Sequence, residues 1–205
     1  MRNEAIFELQ KEGFKLEIFQ DEDSQSPDEW GNTDAFLVYD HRQFSVERKG
    51  YDPEEIFQSF QTKNTYEGYH VFPLFAYIHS GVSLSLGRSE YPFNDRWDTS
   101  YRGFVLVKKQ KGWSFRRDTA RKVAEGIVSE WNMYLSGDVY GYQITDKDDN
   151  HVDSCWGYYG LDYAKQEAIS VLDAEVNAAR KSHFNQLKAW IKQGVNILHR
   201  KPLFA

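Results

Sequence analysis

Apolar residues recur with a helical spacing in three parts of the sequence, and these parts begin or end with typical signals. From Asp118, apolar residues fall at i, i+3 and i+4 as far as Trp131, and Ser136-Gly137 is a typical end for such a helix. Asp52-Pro53-Glu54-Glu55 is a typical helix start, because the aspartate caps the first turn and the proline lies at a position where the helix needs no backbone N–H donor. A third apolar stripe begins near Asp162. The pattern predicts two longer helices and one short helix.

Elsewhere, apolar and polar residues alternate in short runs that are typical of strands. The predicted strand regions are residues 14–19, 34–48, 69–80, 81–87, 103–109, 138–145 and 151–158. Since strands and helices mix without regular alternation, we predict an α+β fold with a mostly antiparallel sheet packed against the helices. No linker-like segment interrupts the chain, so we expect a single domain over residues 1–205, with 171–205 as a C-terminal helical extension.

Composition and charge narrow the classes of function. Aromatic residues make up 16% of the 205 residues, which is enough ring area for a packed core. The formal net charge of −6 disfavours general binding to nucleic-acid phosphate. The single cysteine fits a reducing compartment, and no apolar run approaches the ~20 residues that span a bilayer. We expect a cytoplasmic protein with no membrane association, and no cofactor, because the sequence contains no Gly-rich phosphate-binding fingerprint.

Several motifs rich in aromatic residues stand at fixed offsets along the chain. They are DEDSQSPDEWGN (21–32), HRQF (41–44), PLFAYIHSGVSLSL (73–86), PFNDRWDTSYRGF (92–104), YLSGDVYGY (134–142) and DSCWGYYG (153–160). In order and spacing, over residues 18–170, this set resembles a family of uncharacterised proteins from bacteriophages, plasmids and related mobile elements. The resemblance implies carriage by a mobile element and action in a host cell, and it implies no particular reaction.

Cys155 lies between acidic and aromatic neighbours in the last of these motifs. A thiolate nucleophile needs a neighbouring base and a group that orients the base, and His79 and Asp98 could complete such a triad. A free cysteine is also among the residue types most often buried as a small apolar group, and we favour this interpretation. We therefore predict no catalytic residue, and a Cys-His-Asp hydrolase or transferase is the alternative function.

Carboxylates are concentrated between residues 21 and 29, where a negative surface could bind a positively charged groove. The tryptophan beside them could anchor a partner, because tryptophan is enriched among the residues that dominate binding energy. A run of acids is also typical of a solvated surface. The residues that we predict for partner binding are Asp21, Glu22, Asp23, Asp28, Glu29 and Trp30.

The segment 108–122 has the opposite charge, with seven cations and two interleaved aromatic rings. Cations and stacking rings together can bind a single-stranded nucleic acid. A solvated connection between a strand and a helix is the plainer interpretation. The residues of this alternative nucleic-acid site are Lys108, Lys109, Lys111, Trp113, Arg116 and Arg117.

The run DKDDN (146–150) has the first three ligand positions of a calcium loop. His151 and Gly157 stand where such a loop needs a glycine and a bidentate glutamate. We therefore interpret the run as a hairpin turn and predict no metal site.

Together these observations favour a non-enzymatic accessory protein of a phage or other mobile element that binds a host macromolecule. Its most concrete form is an inhibitor of a host defence complex, of the anti-CRISPR or anti-restriction type. The C-terminal helix could also pack on a second copy and form a homodimer. The residues available for that contact are Phe184, Leu187, Trp190 and Ile191.

Overall fold

The structure, a computed structural model, describes residues 4–63, 65–87, 99–109, 117–192 and 199, and of residues 99–102 the backbone only. The helices are α1 (Pro53–Lys63), α2 (Arg117–Ser136) and α3 (Leu161–Ile191). The strands are β1 (Phe7–Lys11), β2 (Phe14–Gln20), β3 (Ala35–His41), β4 (Phe44–Val46), β5 (Thr65–Tyr66), β6 (Tyr69–Ile78), β7 (Val82–Leu86), β8 (Thr99–Lys108), β9 (Val139–Asp146) and β10 (His151–Tyr159). The predicted α+β fold, with two longer helices and a short one, is confirmed.

Within the described residues, the strands form two sheets where the sequence suggested one. The first sheet has the order β1-β2-β9-β10, and the second has the order β4-β3-β8-β6-β5, with β7 paired to β6. The chain divides into a terminal unit, Met1–Asp21 with Tyr140–Ala205, and a central unit, Glu22–Val139. This division does not test the single-domain prediction, and each unit is described by itself.

In the terminal unit, one face of the sheet packs against α3. Leu16 pairs with Ile144, and Ile18 pairs with Tyr142, so these four side chains lie on the same face. The buried residues that α3 adds to this core are Ala168, Leu172 and Val176. The helix is amphipathic over this part, which is why the chain turns back onto the sheet after β10.

In the central unit, helices cover both faces of the sheet. Five consecutive residues of β3, from Ala35 to Tyr39, are buried. Leu37 belongs to the core under α2, whereas Val38 belongs to the core under α1. A strand that is covered on both sides has no solvent face, so its sequence is a continuous apolar run without alternation.

β7 lies at an edge of the central sheet, where a side chain from α2 occupies part of that edge. The Asn132 side-chain amide donates to the carbonyl oxygen of Leu84 at 2.9 Å and accepts from the Leu84 N–H at 2.8 Å. The amide thus makes the two hydrogen bonds that a neighbouring strand would make. A cavity of about 430 Å³ lies beside this contact, between β7 and α2.

α3 is unbroken over 31 residues. The last of its buried residues is Val176, and the C-terminal helical extension over 171–205 stays a prediction. None of the helices in the described ranges is both long and apolar enough to cross a membrane.

Candidate functional site

Cys155 lies on β10, an outer strand of the four-stranded sheet, and its side chain is exposed. The interpretation of Cys155 as a buried apolar group is therefore wrong. The reason is the position of β10, which has a neighbouring strand on one side only. None of its residues is fully buried. Local alternation along the sequence could not reveal this position in the sheet.

The thiol of Cys155 has a carbonyl and a phenol as neighbours. Its Sγ atom lies 3.9 Å from the carbonyl oxygen of Trp156, and the thiol forms a hydrogen bond with Tyr158. Burial, followed by this hydrogen bond, raises the pKa of Tyr158 above its ordinary value. The phenol therefore stays protonated at neutral pH, and neither neighbour is a base that could take the thiol proton.

The described residues do not test the predicted triad. Cys155 belongs to the terminal unit and His79 to the central unit, and Asp98 lies outside the described residues. His79 is exposed just after β6, and its backbone N–H donates to the carbonyl oxygen of Gly81 at 3.1 Å. The Cys-His-Asp triad therefore stays a prediction.

Trp156 packs against the sheet over Gly141, a strand residue that has no side chain. A Cβ atom built on Gly141 would lie 2.1 Å from the Trp156 ring, so the indole occupies the space above that glycine. The ring also stacks on Phe19, with 6.3 Å between ring centroids and 24° between planes. Trp156 is nevertheless 48% exposed. The hairpin of β9 and β10 therefore fixes a large aromatic ring and leaves half of it in contact with solvent.

Asp21, the first acid of the predicted partner-binding stretch, contacts the residue that follows Trp156. The backbone N–H of Gly157 donates to Asp21 Oδ2 at 3.1 Å. Gly157 has a φ of 84°, which a residue with a side chain rarely adopts, so the backbone turns its N–H toward the carboxylate at this point. The pair of Asp21 and Trp156 places a carboxylate beside an exposed ring in the terminal unit.

Two tyrosines and an aspartate stiffen the same hairpin. The Tyr142 hydroxyl donates to Asp153 Oδ2 at 2.9 Å, and the Tyr142 ring lies 5.9 Å from the Tyr158 ring. Burial and then the hydrogen bond to Asp153 raise the pKa of Tyr142 well above its ordinary value. A phenol with a raised pKa is a hydrogen-bond donor at neutral pH and no nucleophile, so this cluster supports the hairpin.

The rest of the predicted acidic site lies in the central unit, and part of it is engaged in internal contacts. Asp28 forms an ion pair with Arg48 at 3.4 Å, and Glu29 accepts hydrogen bonds from the Ser26 backbone and hydroxyl. Glu22 and Asp23 are exposed. Trp30, at the end of the stretch, is 61% exposed. The acids thus divide between holding the loop in place and facing solvent.

Arg48 anchors this loop to the central sheet. Its guanidinium donates to the carbonyl oxygen of Asn32 at 2.5 Å and lies 4.0 Å from the centroid of the Phe36 ring. Its side chain is only 17% exposed. The guanidinium forms an ion pair, donates a hydrogen bond and stacks on an aromatic ring. It therefore fixes the loop more firmly than an exposed ion pair does.

The predicted nucleic-acid residues are only partly described. Lys108 pairs with Asp34 at 2.9 Å. Arg117 lies 5.1 Å from the centroid of the Phe72 ring and donates to the carbonyl oxygen of Val71. Lys109 is exposed. Residues outside the described ranges are Lys111, Trp113 and Arg116. A nucleic-acid surface over these residues stays a prediction.

The run 146–150 connects β9 to β10. Asp146 Oδ1 accepts hydrogen bonds from the backbone N–H groups of Asp148 and Asn150, both at 2.9 Å. The side-chain and backbone hydrogen bonds from Asn150 lower the pKa of Asp146. No group of three His, Cys, Asp or Glu side chains that could hold a metal ion occurs among the described residues.

Sequence reasoning missed the two residues that support Trp156, namely Phe19 and Gly141. A signal for the second was present, because a glycine inside a strand often marks a close approach by another group. The motif YLSGDVYGY runs from the end of α2 into β9, and DSCWGYYG lies mostly in β10, so that Trp156 of one motif covers Gly141 of the other. No protein-family model, curated protein or solved structure matches this chain.

Proposed function

We propose that this chain is a non-enzymatic protein that binds a macromolecular partner through exposed tryptophans flanked by carboxylates. The observation that carries the proposal is Trp156, which is fixed by Gly141 and Phe19 and yet is 48% exposed beside Asp21. A rigid aromatic ring loses little entropy on binding and is the commonest kind of interface anchor. Trp30, beside Glu29, repeats the combination in the central unit.

The partner that we propose is a host macromolecule with a positively charged surface, in the cytoplasm of the host cell. The chain has a net charge of −6, and its acidic stretch over residues 21–29 is followed directly by the exposed Trp30. The nucleic-acid groove of a host defence complex is such a surface, since it must attract phosphate. The motif resemblance to proteins of mobile elements supports the same choice of target.

The test is a quantitative pull-down of the tagged protein from a host lysate, with Trp156→Ala and Trp30→Ala compared with the parent protein. We expect each variant to lose the bound host protein by about 30-fold or more, as for a hot-spot residue. Tyr163→Ala is the control, because Tyr163 is 53% exposed and carries no role in the proposal. Equal recovery by the parent protein and both tryptophan variants would contradict the proposal.

The alternative function, a Cys-His-Asp hydrolase or transferase, is favoured by one observation, the exposure of Cys155. Its test is the rate of alkylation of Cys155 in the folded protein as a function of pH. An activated thiolate would label with a midpoint well below the ordinary thiol pKa of about 8.5, and His79→Ala would move that midpoint upward. A midpoint that is unchanged by His79→Ala would exclude a role for this histidine.

A further inference from the structure

α3 continues well past the sheet on which its first half packs. Its last buried residue is Val176, and Arg180 pairs with Glu12 in the turn that joins β1 to β2. All residues from 177 to 186 are exposed. At a rise of about 1.5 Å per residue, the eleven residues from 181 to 191 extend about 17 Å beyond this ion pair.

The projecting part of the helix has a row of large apolar residues. Phe184, Leu187 and Ile191 stand at i, i+3 and i+7, so their side chains lie on one face. Phe184 is 56% exposed and Ile191 is 57% exposed. The first half of α3 contributes Ala164, Ala168, Leu172 and Val176 to the core, whereas after Val176 no described residue of the helix is buried.

The charge of this segment is opposite to that of the chain. Residues 177–192 contain four cations and no acid, although the whole chain has a net charge of −6. Lys181, Lys188 and Lys192 are spaced by seven and four residues, which places them in one row beside the apolar face. The Lys188 ammonium lies 4.3 Å from the centroid of the Phe184 ring, at the boundary between the two rows.

We propose that residues 181–192 are a docking helix that binds in an apolar groove with an acidic rim on a partner protein. Anchors at i, i+3 and i+7 are the pattern by which amphipathic helices insert into such grooves. The lysine row would face the acids of the rim. Because the segment is already helical as a continuation of α3, binding needs no folding step. This surface is separate from the tryptophans of the proposed function.

Three other occupants fit these observations less well. A second copy would bring lysine rows of like charge together on the same narrow face. An anionic membrane would attract the lysines, but three apolar side chains bury less area at a bilayer surface than in a groove that encloses them. A single-stranded nucleic acid binds by stacking successive bases on rings, and Phe184 is the one ring in the apolar row, since Leu187 and Ile191 are aliphatic.

The test is a calorimetric titration of the full chain with Ca²⁺-loaded calmodulin, used as a probe whose apolar groove has an acidic rim. We expect a dissociation constant of about 1 µM, weakened by added salt. The double variant Phe184→Ala, Ile191→Ala should bind about 30-fold more weakly, and Lys188→Glu, Lys192→Glu about 10-fold more weakly. Gln186→Ala is the control, since this exposed residue lies on the side of the helix away from both rows and should leave binding unchanged.

Each competing occupant has its own readout. Absence of calmodulin binding at about 100 µM, or binding that survives the double variant with an unchanged melting temperature, would overturn the proposal. Tighter binding to phosphatidylserine vesicles or to single-stranded DNA than to calmodulin would overturn it in favour of a membrane or a nucleic acid. A dimer in sedimentation that dissociates in the double variant would show that a second copy occupies the face.

Discussion

In both units an aromatic ring lies over a strand glycine, but the exposure of the ring differs. In the central unit, Tyr39 covers Gly103 and is fully buried. In the terminal unit, Trp156 covers Gly141 and is half exposed. The contact supports packing in the first case and presents a ring to solvent in the second, because β3 lies inside a sheet covered on both faces and β10 lies at an edge.

The atoms that surround the two glycines sharpen this contrast. The three closest atoms to a Cβ on Gly141 all belong to the Trp156 ring. A Cβ on Gly103 would meet the Tyr39 ring at 2.1 Å and also the carbonyl oxygen of Val38 at 2.7 Å. A side chain can move aside, whereas a paired strand backbone cannot move without breaking its hydrogen bonds. The glycine is therefore required by the backbone at one site and only by the ring at the other.

The largest expected effect is that of Gly103→Ala, which should lower the free energy of unfolding by about 3 kcal/mol or more. Both the buried ring and the Val38 carbonyl would have to shift. Urea unfolding measures the change. Adding Tyr39→Ala should not make Gly103→Ala favourable, since the backbone clash remains, and a rescue by Tyr39→Ala would show that the ring alone excludes the methyl group.

The second effect is that of Trp156→Ala, which should lower the free energy of unfolding by about 2 kcal/mol, because about half of a large ring is buried. The same urea experiment applies. Trp30→Ala is the matched control and should cost no more than about 0.5 kcal/mol, since Trp30 is more exposed. Equal losses for the two tryptophans would mean that the contact with Gly141 and Phe19 adds nothing to stability.

The third effect is a change of sign at Gly141. Alone, Gly141→Ala should cost about 1.5 kcal/mol, because Trp156 must leave its place. In the Trp156→Ala background the same change should stabilise the protein by about 0.5 kcal/mol, since alanine suits a strand better than glycine. A double-mutant cycle measures the coupling. A cost that is the same in both backgrounds would refute the assignment of this glycine to the ring.

The smallest effect concerns pH. Burial, followed by the interaction with the Tyr51 hydroxyl, raises the pKa of Tyr69 in the central unit to about 12, and the pKa of Tyr142 in the terminal unit is raised as well. A phenol with a raised folded-state pKa contributes its full stability below the unfolded value of about 10 and loses it as pH rises further. Both units should therefore lose stability above about pH 10.

Tyr142→Phe should reduce the fall in stability between about pH 9 and about pH 11 by about 1 kcal/mol, because one phenol no longer ionises in the unfolded chain. Urea unfolding at the two pH values measures the change. A fall that is the same for the parent protein and Tyr142→Phe would contradict the raised pKa.

The helices could be predicted from the sequence because their signals are local. At the start of α1, Asp52 accepts a hydrogen bond from the Glu54 N–H, as its capping signal predicts. The spacing of the apolar residues that precede Asn132 is enough to indicate α2. β1 was missed, because only two of its five residues, Phe7 and Leu9, are apolar. It pairs with the next strand, β2, and is also held by the distant ion pair of Lys11 with Asp173.

The division into two sheets could not be predicted, because strand order depends on pairing between distant residues. Leu16 finds its partner in Ile144, and no local pattern specifies that choice. The exposure of Cys155 follows from the same strand order, since it depends on β10 being an outer strand. The candidate residues at the surface were named from composition, and the contacts that support Trp156 came only with the fold.

The side chain of Asn132 implies an order of events during synthesis. Among the described residues, β7 pairs only with β6. Asn132, which hydrogen-bonds to Leu84 at the other edge of β7, lies 48 residues later in the chain. Protein synthesis proceeds at about 5–20 residues per second, so Leu84 leaves the ribosome about 2–10 s before Asn132. During that interval the bare edge can capture another strand, so the nascent chain is most prone to aggregate before α2 emerges.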